Sequence, residues 1–464
     1  MEALKRSTQK GALEVSLVLF AAITVCGEAS FAAPSATSPA AAASAPAEEQ
    51  PAAPEAWAVH GQITNVTQGH PTFTAPYSGP NSLRPDGRTE ETTDATLYVG
   101  VRVWKGAEIW LTPELDQGRG LDNTVGVAGF PSGEAYKVGS NTPYLRLPRA
   151  FIRQTIELGG DIRQVLPAAT QLAGTGTADA LTITIGKFGV TDIFDTNTYA
   201  HDPRGDFLNW STIDTGTFDY AADAWGFTYG VAAEWSQGSR TLRGGAFQLS
   251  REPNGKITGV DFSQFMLVAE FEQRYEGVGP GGKVKLLGFL NRGRMARYRD
   301  AVDLAAAQGG TPDVAAVRKY ASRPGLAVNI EHAWTTEVGA FVRAGVNDGT
   351  KEAYEFTEIN RTLSAGVSIQ GTRWGRADDT LGIAGVANGL SGDARAYFAA
   401  GGTGILIGDG RLNYGAEKIV EFFYSIHLNE HVAFALNYQH VNNPAYNRDR
   451  GPVSIYAIRA HAEF

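Results

Sequence analysis

Cysteine is almost absent: the chain has one in 464 residues, Cys26. Without a second thiol there is no disulfide framework, which suits an oxidising compartment where none is wanted. Long apolar runs are missing as well. Beyond the N-terminus, no stretch reaches the roughly 18 apolar residues that a membrane helix needs. Cationic excess is lacking too, since the net charge is −9, and this argues against nucleic acid as the main partner. None of the eight histidines stands in a G-x-S-x-G or HExxH context, so neither a serine hydrolase nor a zinc protease is legible. No EF-hand spacing is present, and no cofactor or metal is expected.

Glycine is plentiful instead, at 55 residues, well above the usual share of about 7%. Helical cores avoid it, so its abundance favours strands, tight turns and loops. The N-terminus reads as an export signal over residues 1–32. Lys5, Arg6 and Lys10 form a basic start, Val15 to Cys26 an apolar core, and Ser30 and Ala32 a small-x-small ending. Val25 is a poor residue to precede a lipid-anchored cysteine, so Cys26 is read as part of the signal. Residues 33–56 follow as an Ala/Pro-rich run that cannot pack a core and reads as a linker. The folded domain is expected over 57–464.

From Trp57 onward the dominant period is two. In "TLYVGVRVW" (96–104), Leu97, Val99, Val101 and Val103 share one face. In "VEFFYSIHL" (420–428), Val420, Phe422, Tyr424, Ile426 and Leu428 do the same. Such segments predict sixteen strands, near 57–67, 96–104, 107–115, 150–158, 181–188, 224–235, 240–249, 262–272, 283–291, 325–332, 336–345, 362–370, 379–388, 418–428, 431–440 and 453–464. Even connections are short, such as "KG" after 104 and "NE" after 428, and odd connections are long. This is the pattern of an all-β transmembrane antiparallel barrel of about 16 strands, with short periplasmic turns and long extracellular loops. Residues 159–180 break the rule, being long where a turn is expected. A soluble β-sandwich would also alternate, but strands of this length exceed its usual five or six residues and match what a bilayer crossing needs.

Several long stretches resemble the carbohydrate-selective porins of the OprB type: "HGQITNVTQGHPTF" (60–73), "GAEIWLTPELDQGRGLDNTVGVAGFPSGEAY" (106–136), "GDFLNWSTIDTGTFDYAADAWGFTYG" (205–230) and "NYQHVNNPAYNRDRGPV" (437–453). The resemblance implies a channel in the outer membrane of a Gram-negative bacterium, passing small sugars such as glucose by diffusion. It is weaker across 292–324 and 389–417. Outer-membrane lipid and lipopolysaccharide are the expected surroundings, and Arg292, Arg294, Arg297 and Arg299 are candidates either to complement the acidic loop 189–223 or to contact lipopolysaccharide phosphates. Self-association is left open.

In a barrel, the face opposite the Val/Leu/Phe face lines water, where charges are tolerated that a packed core would reject. Pore-lining candidates are Arg102, Trp104, Glu108, Trp110, Glu114, Arg153, Glu234, Arg343 and Arg459. Tyr98, Trp104 and Trp110, beside Arg102, Glu108 and Glu114, form a candidate sugar-contact group: charged groups bond paired hydroxyls and aromatic rings cover the sugar face. The alternative is that these aromatics belong to an interface girdle or prop a folded loop. A mixed Arg/Glu wall also serves a general ion-selective porin, so the wall alone does not specify sugar. An enzyme or a plugged adhesive barrel has less in its favour.

The loop 189–223 carries Asp192, Asp195, Asp202, Asp206, Asp214, Asp219 and Asp223 against one cation, Arg204. Porin resemblance implies that it folds inward as the constriction, where its acids would favour cations. Clustered oxygens could also hold a divalent ion, and the alternative to both is a solvated loop whose Asp residues make turns and caps. The last strand, "SIYAIRAHAEF" (454–464), sets Tyr456, Ile458, Ala460, Ala462 and Phe464 against Arg459, His461 and Glu463. Resemblance to outer-membrane proteins at large implies that Phe464 is the assembly signal read by the barrel-insertion machinery.

Overall fold

The computed structural model describes residues 54–135, 139–223, 225–355 and 358–464. The segment expected to be an export signal, 1–32, and the expected linker up to residue 53 lie outside the described residues. Each period-two segment is a strand. In chain order these are β1 (Trp57–His70), β2 (Arg88–Trp104), β3 (Ala107–Arg119), β4 (Gly139–Val165), β5 (Gly174–Phe188), β6 (Thr228–Gln237), β7 (Arg240–Gln248), β8 (Phe265–Tyr275), β9 (Gly281–Met295), β10 (Lys319–Ala333), β11 (Val338–Asn347), β12 (Arg361–Gly371), β13 (Arg376–Gly389), β14 (Glu417–Asn429), β15 (Val432–Asn442) and β16 (Val453–Glu463). Each strand pairs antiparallel with its sequence neighbours, and β16 returns to β1, from Gln62 opposite Glu463 to Gly69 opposite Tyr456. The result is a closed sixteen-stranded barrel with no free edge.

Phe464 completes the seam. Its N–H donates to Gly61 O at 2.9 Å, and Gly61 N–H donates to Phe464 O at 3.0 Å. The Phe464 ring lies over Gly61, where an added β-carbon would collide with it.

The outward side is an apolar belt. Val99 and Val101 on β2, Leu286 on β9, Leu326 on β10, Val420 and Phe422 on β14, and Ile458 on β16 are all exposed. A belt of this kind, continuous around a barrel, requires an apolar surrounding. Trp57, Trp104, Trp235, Trp334 and Trp374 are exposed as well. All five lie near strand ends at the short-turn rim, where indoles suit the boundary between hydrocarbon and water.

Trp104 corrects the sequence reading, which turned it inward. The ladder shifts between Arg102 and Trp104, so Trp104 pairs with Ala107, on the outward face of β3. Its indole N–H donates to Gln154 Oε1 at 2.7 Å. That bond also explains why a glutamine occupies the apolar side of β4.

Connections at one end run over 105–106, 238–239, 276–280, 334–337, 372–375 and 430–431, while those at the other end are long. The exceptional connection at 159–180 is mostly ladder. β4 and β5 stay paired down to Val165 opposite Gly174, leaving 166–173 as a tip. Among the described residues, three α-helices punctuate the long loops: α1 (Trp210–Ile213), α2 (Tyr298–Gln308) and α3 (Gly392–Ala399). Helices α2 and α3 pack through Tyr298 on Tyr397, with ring centroids 4.9 Å apart. A buried apolar cluster fills part of the lumen, including Phe130, Phe194, Trp210, Phe218, Tyr220 and Phe247.

Candidate functional site

Loop 189–227 crosses the lumen. A loop inside a barrel must still bond its backbone, and wall side chains supply the partners. On β8, Glu270 Oε2 accepts the Asp195 N–H at 2.8 Å. On β10, Glu331 Oε2 accepts the Thr198 N–H at 2.8 Å. On β14, Glu421 Oε1 accepts the Leu208 N–H at 2.6 Å. Arg343 on β11 donates to Thr212 O and Ala200 O, both at 2.7 Å. Arg459 on β16 donates to Pro203 O at 2.6 Å, Asp206 O at 2.8 Å and Gly205 O at 2.9 Å. Loop 120–135 lies on top: Trp210 N–H donates to Phe130 O at 3.0 Å, and the two rings stack with centroids 5.0 Å apart.

These bonds correct two expectations. Arg343 and Arg459, read as pore-lining, are buried beneath the loop they hold. The acidic loop is also largely neutralised by the wall. Asp192 takes both guanidinium arms of Arg149, at 2.8 and 2.6 Å. Asp219 pairs with Arg323 at 2.6 Å, Asp223 with Lys187 at 3.3 Å, and Asp195 lies 3.5 Å from Arg343. Local turn work is present too. Asp206 Oδ2 accepts from His201 N at 3.1 Å and Asp202 N at 3.2 Å, and Asp202 Oδ1 accepts from Arg204 N at 2.9 Å.

The loop faces β2–β4 across a charged, partly water-accessible wall. Arg146 on β4 pairs with Glu114 and Asp116 on β3. Arg204, reaching from the loop, meets Asp94 at 3.1 Å, Glu134 at 3.4 Å and Glu114 at 3.8 Å. Thr96 Oγ1 donates to Glu114 Oε2 at 2.6 Å. The Phe227 ring lies beneath both guanidiniums, 5.3 Å from Arg146 and 4.8 Å from Arg149. Trp225 Nε1 donates to Tyr144 OH at 3.0 Å. Guanidiniums, carboxylates and aromatic faces therefore alternate over one patch. Arg146, Arg149 and Arg204 each keep nearly a fifth of their side-chain surface open.

Among the loop acids, burial alone would raise Asp192 and Asp202. Arg149 together with the Gly189 N–H outweighs it at Asp192, and Arg204 together with its own N–H and the nearby His461 and His201 outweighs it at Asp202, so both carboxyls lie below the ordinary range. Glu134 is the reverse: burial exceeds the pull of Arg204 and holds it well above. Asp206 is pushed up to about 6, by burial first and then by the neighbouring Asp202.

The remaining candidates sit toward the short-turn end. Tyr98 is buried and accepts from Gln62 Nε2 at 2.7 Å. Trp110, expected to line water, is fully buried: it stacks on His60, with centroids 6.3 Å apart, and donates to Glu108 Oε2 at 3.1 Å. Arg102 lies 3.5 Å from Glu108 and Arg153 donates to Thr170 O at 2.7 Å. Glu234 accepts from Arg243 at 2.9 Å, an arginine that also bonds Glu270 and Glu272.

Sequence reasoning missed Arg146 and Arg149. They stand three apart, a spacing that puts residues of a regular strand on opposite faces. Arg146 pairs with Glu114 and Arg149 with Thr112, so three residues of β4 match two of β3. This bulge brings both arginines to the lumen face.

Residues 80–464 match the model of the carbohydrate-selective porin family, OprB. The high-pH structure of Pseudomonas putida OprB superposes with a TM-score of 0.66 at 14% identity, covering 88% of this chain and 94% of that one. The low-pH structure of the same protein gives 0.49 at 11%, covering 88% and 93%. The outer-membrane channel DcaP of Acinetobacter baumannii gives 0.49 at 12%, covering 88% and 97%. No curated protein matches the sequence.

Proposed function

Because the chain belongs to the OprB family of carbohydrate-selective porins, we propose that the sugars it admits are selected at the patch between loop 189–227 and β2–β4. The protein is a Gram-negative outer-membrane channel through which small sugars diffuse passively. Family and fold are those of channels, not enzymes. The observation that carries the site is the alternation of Arg146, Arg149 and Arg204 with Asp94, Glu114, Asp116 and Asp192 around the Phe227 ring. Guanidinium and carboxylate groups hold vicinal hydroxyls in pairs, and an aromatic face covers the apolar side of a pyranose such as glucose. The partners here are already bonded to one another, so a passing sugar exchanges hydrogen bonds instead of binding tightly. Conduction needs such weak binding.

Planar-bilayer recordings test this. Glucose is expected to reduce the single-channel current of the wild type, and Arg149→Ala to weaken that block about tenfold, as loss of one charge-assisted bond would. An unchanged block in Arg149→Ala would remove the patch from sugar recognition. A second reading, a general ion-selective porin, is favoured by the excess of carboxylates over guanidiniums at the patch. Under it no sugar perturbs the current, and cations pass in preference.

Residues 1–32 serve export in this proposal. Phe464 marks the barrel for the insertion machinery, and Arg292 and Arg294 meet lipopolysaccharide phosphates at the outer rim. Self-association belongs to the same proposal, its arrangement left to measurement of mass in detergent.

A further inference from the structure

Six of the seven short-end connections close within five residues, but β4 and β5 run on past the barrel wall. Register shifts at Glu157/Gly159 and Gly159/Ile162 bend the extension. Gly159 (φ +109°) and Gly160 (φ +80°) occupy backbone conformations that side chains resist. The extension then doubles back. At its tip, Leu172 is wholly buried in the apolar cluster that includes Ala58, Tyr98 and Trp110, residues of the inner wall. Two inward arginines hold the tip by its backbone: Arg153 donates to Thr170 O at 2.7 Å and Arg102 to Ala173 O at 3.1 Å. The entry of the chain clasps it from the other side. Glu55 N–H donates to Ala173 O at 3.0 Å, and Ala173 N–H to Glu55 Oε2 at 2.6 Å. Arg102 Nε also reaches Glu55 O at 3.0 Å.

Closing the sheet needs none of this, since a two-residue turn serves elsewhere on the same rim. We propose that the 166–173 tip, seated by Leu172 and fastened by Arg102, Arg153 and Glu55, is a second constriction at the periplasmic mouth. It sets the exit width for solutes that have passed loop 189–227. The two narrowings act in series, so each limits conductance separately.

The test replaces residues 158–179 by Asn-Gly, closing the Glu157–Ala180 pair as a two-residue hairpin. Removing one of two comparable resistances in series should raise single-channel conductance about twofold. The sugar size cut-off in liposome swelling should rise with it. Wild-type conductance and cut-off in a folded, shortened barrel would overturn the proposal. If the shortened chain does not insert, the triple variant Arg102→Ala, Arg153→Ala, Leu172→Gly keeps the hairpin length but unfastens the tip. It should show the same rise, and a current indistinguishable from wild type would again overturn the idea. The readout is conductance and cut-off, so it is independent of whether sugars block the current at Arg149.

Discussion

Asp206 offers the clearest single-residue handle on the inward loop. Its carboxyl is pushed up to about 6 by burial and by Asp202, against an ordinary value of about 3.9. The folded loop therefore holds this proton more firmly than an unfolded chain does. The destabilisation from ionising it is absent below about pH 4, grows between about 4 and 6, and is complete above, while the charge itself is half formed near pH 6. Nearby Asp202 is held low and stays ionised through that window, so of these two loop acids only Asp206 changes charge there. Cation preference, read as zero-current potential across a salt gradient, should fall when the wild type is taken from pH 7 to pH 5. Asp206→Asn should show a smaller change; equal shifts in both would refute the assignment. Which side chains face inward was legible from alternation, and Arg102, Glu108, Arg153 and Arg459 do so. Which inward charges meet water was not. That depends on where a long loop lies, and no local pattern encodes it: Arg343 and Arg459 read like pore residues because the loop that covers them is remote in sequence.

At the scale of elements, the inward loop is held by charges that leave strong orphans if removed. Arg343→Met would strand the carbonyls of Ala200 and Thr212 and leave Asp195 without its guanidinium. Breaking a buried pair in this way costs about 3–5 kcal/mol. The barrel ladder does not depend on it, so circular dichroism should keep its β signal while the current becomes noisier and sugar block fades. A quiet, wild-type channel would show that the loop has other sufficient anchors. The seam gives a second case. Gly61 leaves room for the Phe464 ring, so Gly61→Val should displace it and lower the yield of inserted barrel, as deletion of Phe464 should. Export to the periplasm would be untouched, and normal insertion of both variants would count against the role of that ring. The strands were readable because most keep one face apolar over a bilayer-crossing length, Gln154 on β4 being an exception. Boundaries were less readable where ladders slip. Pro148 and the bulge around Arg146 and Arg149 hid the first half of β4, and the bulge at Arg102/Trp104 turned one indole to the opposite face.

At the scale of the whole molecule, the barrel places apolar surface outside and charge inside, the reverse of a soluble globule. The order of its parts was legible: short and long connections alternate because antiparallel strands return to opposite rims. What stood outside the pattern, the connection at 159–180, is a ladder that leaves the wall and folds back under it, and such a return has no periodic signature. Loop 189–227 has one further consequence. It is bonded to β2, β4, β8, β10, β11, β14, β15 and β16, strands on opposite sides of the ring. It is therefore a strut spanning a hoop. An unbraced ring flattens into an ellipse under lateral load, whereas a spanned one resists along the strut. Conductance should accordingly stay constant as membrane tension rises in a pressure-clamped patch, and Arg343→Met, with one end of the strut loosened, should become tension-sensitive.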